Sequence, residues 1–329
     1  GTANGVNDAV YALAVSGSDV YVGGYFTRAG GVTVNYVAKW NGTTWSRLGT
    51  GNGLDNWAFS LAVSGSDVYV GGFFTRAGGV AVNYVAKWNG TTWSRLGTGA
   101  ANGVNNAVYA LAVSGTDVYV GGDFSQAGGV AANNVAKWNG TNWSSLGTGA
   151  ANGVGGSGSI SARALAVRGT DLYVGGLFTQ AGGVAASRVA KWNSTSWSNL
   201  GTGAANGVNN TVRALTVSGP DVYVGGEFTQ AGGIVANHVA YYTPDVLSAV
   251  PAARSLTPLT LAPNPTTGSV RLTGAVAGAS VQVFDGVSRL VLSTSATAAG
   301  TAMLTLPVGL PRGLYIVRTG AQAKRLVLE

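Results

Sequence analysis

The chain has 329 residues, of which 53 are glycine, 46% are hydrophobic and only 9% are charged, a balance that excludes a disordered low-complexity chain and fits short buried strands joined by tight turns. The absence of cysteine excludes a disulfide framework and any thiolate metal site. The net charge of +7 comes from scattered residues rather than a basic run, which argues against a nucleic-acid partner.

No apolar run long enough to span a bilayer occurs, so no transmembrane segment is expected. The opening residues lack a basic start followed by an apolar stretch, so the chain is expected to be either never exported or already stripped of an export signal.

Five copies of one segment about fifty residues long occupy the first three quarters of the chain. The marker tyrosine of the run D-[VL]-Y-V-G-G falls at Tyr21, Tyr69, Tyr119, Tyr173 and Tyr223, at spacings of 48, 50, 54 and 50 residues. A period near fifty points to a propeller or a solenoid, where one unit cannot bury its own apolar face and must stack on its neighbours.

In the first copy, residues 11–15 form an apolar run, 16–19 a turn cluster, and 20–22 a β-branched and aromatic run ended by Gly23-Gly24. A glycine-rich loop over 25–35 leads to a third strand at 36–40, and the Asn41-Gly42 hairpin signal introduces a fourth at 44–48. Four short antiparallel strands make one propeller blade. The recurrent aspartates Asp19, Asp67, Asp117, Asp171 and Asp221 are expected in turns, bonding nearby amides. Lys39, Lys87, Lys137 and Lys191 recur beside a tryptophan, and the paired tryptophans are expected to pack blade against blade.

These features resemble kelch-type repeats. The matching residues are Gly23-Gly24 with Trp40 and Trp45, Gly71-Gly72 with Trp88 and Trp93, Gly121-Gly122 with Trp138 and Trp143, and Gly175-Gly176 with Trp192 and Trp197. The chain departs from the common kelch form in the tryptophan at its first aromatic position and in the run F-[TS]-[RQ]-A-G-G. The resemblance implies a blade and no particular activity.

Two positions vary while the rest of the repeat barely changes. Directly after the glycine pair stand Tyr25, Phe73, Asp123, Leu177 and Glu227; four residues before the tryptophan position of the lysine-tryptophan pair stand Tyr36, Tyr84, Asn134, Arg188 and His238. Both flank the same loop, so loops gathered on one rim would present an uneven aromatic and polar surface for a glycan or protein ligand.

The fifth repeat reads as incomplete, because Ala240-Tyr241-Tyr242-Thr243-Pro244 replaces Ala-Lys-Trp-Asn-Gly and no tryptophan-bearing strand follows. A three-stranded last blade would leave an open edge unless residues 246–250, the C-terminal unit or another molecule covers it, or unless the repeats belong to a longer propeller. The expected architecture is all-β: a propeller of about five four-stranded blades with the last incomplete (1–244), a linker (245–257) and a small β-sandwich (258–329).

The C-terminal segment alternates in short runs at 269–272, 280–284, 290–293, 303–306, 314–318 and 325–328. It resembles the C-terminal sorting domain of proteins exported by the Bacteroidota type IX secretion system, through Pro263-Asn264-Pro265, the run containing Gly313 and Tyr315, and the final Lys324-Arg325. That resemblance implies the type IX machinery as a partner, passage through periplasm and outer membrane, and release or display at the cell surface.

Catalytic chemistry is sparse: 12 acidic residues, most in recurrent turns, and one histidine, His238, without a triad companion. No zinc spacing or phosphate-cradling loop occurs, and neither metal nor cofactor is expected. Three function classes follow: a non-enzymatic binding or adhesion module, a subunit that self-associates by donating a strand to the open blade, and, ranked last, a glycan-active enzyme using Asp123 and Glu227.

Overall fold

The computed structural model describes residues 5–51, 53–201, 206–243, 246–249, 259–287, 289–319 and 322–329. The chain divides into two units, Gly1–Val250 and Pro251–Glu329. The described residues form strands and turns, with two three-residue 3-10 segments at Gly99–Ala101 and Gly149–Ala151.

Each repeat folds into a four-stranded antiparallel sheet whose strands follow chain order. In the first, these are Val10–Ser16, Asp19–Gly24, Val37–Trp40 and Trp45–Ser46. The Asn41-Gly42 turn closes the last hairpin: Asn41 Oδ1 accepts from the Thr43 and Thr44 amides at 2.9 and 2.7 Å, and Gly42 sits at φ 92°. The glycine-rich loop is itself a two-stranded ribbon, Arg28–Ala29 against Val32–Thr33, turned by Gly30 and Gly31 at positive φ.

The recurrent aspartates do not cap amides as expected. Asp19, Asp67, Asp117 and Asp171 pair with Lys39, Lys87, Lys137 and Lys191 at 2.7–3.5 Å, joining each turn to the third strand of its own sheet. The hydrogen bond that Lys39 Nζ donates to the Asp19 carboxylate holds the ammonium above its ordinary pKa. Such half-exposed pairs contribute on the order of 0–1 kcal/mol each.

The fifth repeat is not three-stranded. Val246–Ala249 pairs with Val239–Thr243 in the register Tyr242↔Leu247, the same placement that Trp88↔Trp93 has in the second repeat. A backbone ladder needs donors and acceptors in register, not a particular side chain, so a strand without tryptophan closes the sheet. Residues 246–249 of the expected linker are thus a strand, and its residues 245 and 250–257 lie outside the described residues. The edge that strand donation required is filled from within the chain.

Neighbouring sheets pack face to face. Tyr21, Val37 and Leu48 on the trailing face of the first sheet meet Val68, Val70, Trp88 and Trp93 on the leading face of the second. The next three joints repeat this pattern. Along the first strands the contact is very close, because the facing residues are glycine and small aliphatics: a Cβ on Gly23 would lie 3.1 Å from the Ala58 side chain, and one on Gly175 would overlap Val212. Toward the fourth strands the gap is filled by tryptophan pairs with centroids 5.4–5.5 Å apart. Glycine on the second strand and indole toward the fourth give the first three joints a narrow and a wide side; the fourth joint has Tyr242 in place of a tryptophan.

The row ends in two uncovered faces. Val37, Val85, Val135 and Val189 are 0% exposed, but their counterpart Val239 is 44% exposed. On the leading side, Leu13 is 64% exposed against 9% for Leu165. Among the described residues the first and fifth sheets do not cover one another.

The second unit is a sandwich of a three-stranded and a four-stranded sheet. Leu261, Val270, Leu272 and Leu304 on one sheet face Val281, Val283, Val317 and Leu326 on the other. Five of its six expected runs lie within strands, the run at 303–306 extends one residue past the strand Ala302–Thr305, and a further strand stands at Thr260–Ala262.

Candidate functional site

The glycine pair that ends each second strand positions the loop rim. A Cβ on the second glycine would overlap a carbonyl at the start of the first strand, that of Ala9, Trp57, Ala107, Ser161 or Thr211 in the five repeats. That close approach lets the next residue bond the same carbonyl, as with Tyr25 N to Ala9 O at 2.8 Å and Phe73 N to Trp57 O at 2.9 Å. Asp123 and Glu227 are held in the same way, and Leu177 extends the second strand itself.

The second variable set adopts the left-handed conformation in every repeat. Tyr36, Tyr84, Asn134, Arg188 and His238 have φ of 62–68°. Each is locked by two backbone bonds, as in Tyr36 N to Phe26 O at 2.7 Å and Gly24 N to Tyr36 O at 3.0 Å. Glycine or asparagine relieves this strain, so tyrosine, arginine and histidine occupy a position that backbone energetics disfavours.

Each pair of variable residues meets within its own repeat where both are aromatic: Tyr25 stacks on Tyr36 with centroids 6.2 Å apart, and Phe73 approaches Tyr84 at 5.9 Å. In the third repeat Asp123 and Asn134 line a polar cleft of about 520 Å³ together with Asn105, Asn106 and Asn133. Glu227 accepts from Arg213 Nε at 3.0 Å, and His238 is exposed.

A third row was not anticipated. Each first strand carries a β-bulge, with register shifts between Val10/Ala12, Ala58/Ser60, Val108/Ala110, Ala162/Ala164 and Val212/Ala214. The extra residues are Tyr11, Phe59, Tyr109, Arg163 and Arg213. A bulge takes its residue out of the strand's alternation and re-aims the side chain. These side chains run from sheet to sheet: Tyr11 to Phe59 at 5.7 Å, Phe59 to Tyr109 at 5.6 Å, and the Arg163 guanidinium 5.5 Å from the Tyr109 centroid. Trp57 joins this row to the rim, 6.0 Å from Phe59 and 5.1 Å from Tyr25. Burial, with the Asp123 charge as a second cause, holds the Tyr109 hydroxyl above its ordinary pKa against the opposing Arg163 charge. The sequence signal was present: Tyr, Phe, Tyr, Arg and Arg vary inside a nearly constant strand.

The assembled surface is thus aromatic over the first three repeats and charged over the last three. Tyr11, Tyr25, Trp57 and Phe73 are each at least 39% exposed, which leaves ring faces available for stacking. Among the described residues, no three carboxylate or histidine side chains gather to hold a metal.

In the second unit, the residues of the sorting-domain resemblance fall on the opening segment and the last two strands. Asn264 donates to the Arg325 carbonyl and accepts from the Val327 amide, both at 2.9 Å, tying Pro263-Asn264-Pro265 to the last strand. Tyr315 is buried and donates to the Pro311 carbonyl at 2.7 Å, and Gly313 pairs opposite Leu328. Lys324 and Arg325 are exposed on the last strand.

No family model and no curated protein matches this chain. Among solved structures, it is similar to PorZ, an essential bacterial surface component of the type-IX secretion system of Porphyromonas gingivalis, at 15% identity and a TM-score of 0.39, over 97% of this chain and 45% of that one. It is also similar to the computationally designed Ika8 protein, at 15% identity and a TM-score of 0.44, over 98% of both chains. The chain therefore spans less than half the length of PorZ. No helix among the described residues is long and apolar enough to cross a membrane.

Proposed function

We propose that the first unit is a kelch-like β-propeller module that binds carbohydrate without turning it over, and that the second is a type IX sorting domain directing it to the cell surface. The observation that carries the reading is the continuous aromatic row Tyr36–Tyr25–Trp57–Phe59–Tyr109, with centroids 5.1–6.2 Å apart. Sugar rings present C–H faces that stack on aromatic rings, while tyrosine hydroxyls and the indole N–H bond to ring substituents. Asp123, Asn134 and Arg163 stand where the aromatic half gives way to the charged half and supply the polar groups that choose among sugars. A non-enzymatic role is supported by Glu227, whose carboxylate is engaged by Arg213 rather than free to act as acid or base. The wedge-shaped joints support the propeller, and the Asn264 bridge to the last strand supports the sorting-domain reading.

The test is glycan-array screening of the full chain, followed by calorimetry on the glycans retained. Trp57→Ala and Tyr25→Ala should each weaken binding by about tenfold or more, the scale of one stacked ring, with an unchanged melting temperature. An array that retains no glycan, or a Trp57→Ala variant that binds like the parent, refutes it.

A further inference from the structure

The leading face of the first sheet is an empty copy of a slot that is filled four times elsewhere in the same chain. Leu13, Val20, Val22, Trp40 and Trp45 line a groove of about 780 Å³. At the equivalent positions Val68, Val118, Leu172 and Val222 are 0% exposed, because the preceding sheet covers them. The slot is nevertheless already shaped. Trp40 and Trp45 lie 5.3 Å apart at 47°, against 5.4–5.5 Å and 49–51° in the three filled slots with tryptophan pairs. Trp93, Trp143 and Trp197 donate Nε1 to the carbonyls of Leu48, Leu96 and Leu146 on the preceding sheet, whereas Trp45 Nε1 has no acceptor among the described residues.

The internal joints define what fills such a slot: the trailing face of a sheet of this repeat, led by its tyrosine and its third-strand valine. Among the described residues the one uncovered face of that kind is on the fifth sheet, where Val239 is 44% exposed and Tyr223 is half-buried. There Tyr241 takes the place of the recurrent lysine and packs on Tyr223 at 6.1 Å, making this face more apolar than the other four. Among the described residues the first and fifth sheets of one chain leave each other uncovered, and a match between two molecules covers both faces at once.

We infer that the first sheet's leading face docks the fifth sheet's trailing face of a second copy of this chain, in a head-to-tail joint continuing the four internal ones. The contact is heterologous, each copy offering a different face at each joint. It buries side chains and leaves every strand paired within its own sheet, unlike strand donation.

Sedimentation velocity on the full chain tests this. Reversible association that grows with concentration is expected, with a blue shift in tryptophan emission as Trp40 and Trp45 are covered. Leu13→Asp in the slot and Val239→Asp on the mating face are both exposed changes that leave the fold intact, checked by circular dichroism, and each alone should abolish association. An equimolar mixture of the two should regain it, because one intact slot then meets one intact mating face. A parent chain that stays monomeric at every concentration, variants that associate like the parent, or a mixture that does not associate overturns the inference.

Discussion

Trp143 Nε1 donates to the Leu96 carbonyl at 2.8 Å across the joint between the second and third sheets, and both residues are buried. The indole therefore does two things: its area fills the wide side of the wedge, and its buried N–H finds an acceptor in a carbonyl of the neighbouring sheet that also accepts from the Gly103 amide.

Trp143→Phe should keep most of the ring and lose the donor. The expected loss is about 1–2 kcal/mol in urea unfolding, combining a small cavity with one lost hydrogen bond, while the Leu96 carbonyl keeps its bond from the Gly103 amide. Trp45→Phe makes the same change where the ring is half-exposed and has no such acceptor, so under conditions where the chain is monomeric it should cost well under about 1 kcal/mol. Equal losses at the two sites would show that the joint does not depend on this bond.

The narrow side of the wedge can be probed with one methyl group. A Cβ on Gly175 would overlap Val212 of the next sheet, whereas on Gly225, the same position in the last sheet, it would meet only the Ala214 methyl at an ordinary 3.8 Å. Gly175→Ala should destabilise by about 1–3 kcal/mol through overpacking, and Gly225→Ala should change stability by no more than about 0.5 kcal/mol. Thermal unfolding of the pair would detect the difference, and a destabilised Gly225→Ala would refute this account.

Tyr173 is fully buried, its hydroxyl has no hydrogen-bond partner among the described residues, and burial pushes its pKa up to about 12. The folded pKa lies above the unfolded value near 10, so the stability this neutral phenol contributes is intact below pH 10 and is lost as pH rises toward 12. Across that window the loss should approach about 2–3 kcal/mol. Tyr173→Phe removes the unpaired hydroxyl, so it should be about 1 kcal/mol more stable at neutral pH and lack this alkaline component. Urea titrations of both chains between neutral and alkaline pH would check it, and parallel pH profiles would refute it.

Part of the candidate site was legible before folding. Tyr25 and Tyr36 stand out because they vary inside a conserved frame, and the fold brings them together. Tyr11, Phe59, Tyr109, Arg163 and Arg213 vary just as conspicuously but sit in what reads as an ordinary apolar strand. Only the bulge, a property of pairing with the second strand, removes them from the alternation and aligns them across sheets. Trp57 was hidden for a related reason: it belongs to no recurrent pair, and its role as the link between rim and bulge row depends on a distance to Tyr25 that runs between repeats.

Local chemistry carried in the chain was enough to set the repeat, its turns at Asn41-Gly42 and the four-strand order, because hairpins depend on neighbours in sequence. The completion of the fifth sheet by Val246–Ala249, the aspartate–lysine pairs and the two uncovered end faces were decided only in three dimensions. Strand pairing depends on backbone register, and whether a face such as that of Leu13 or Val239 is buried depends on which sheet lies against it, information that no single repeat contains.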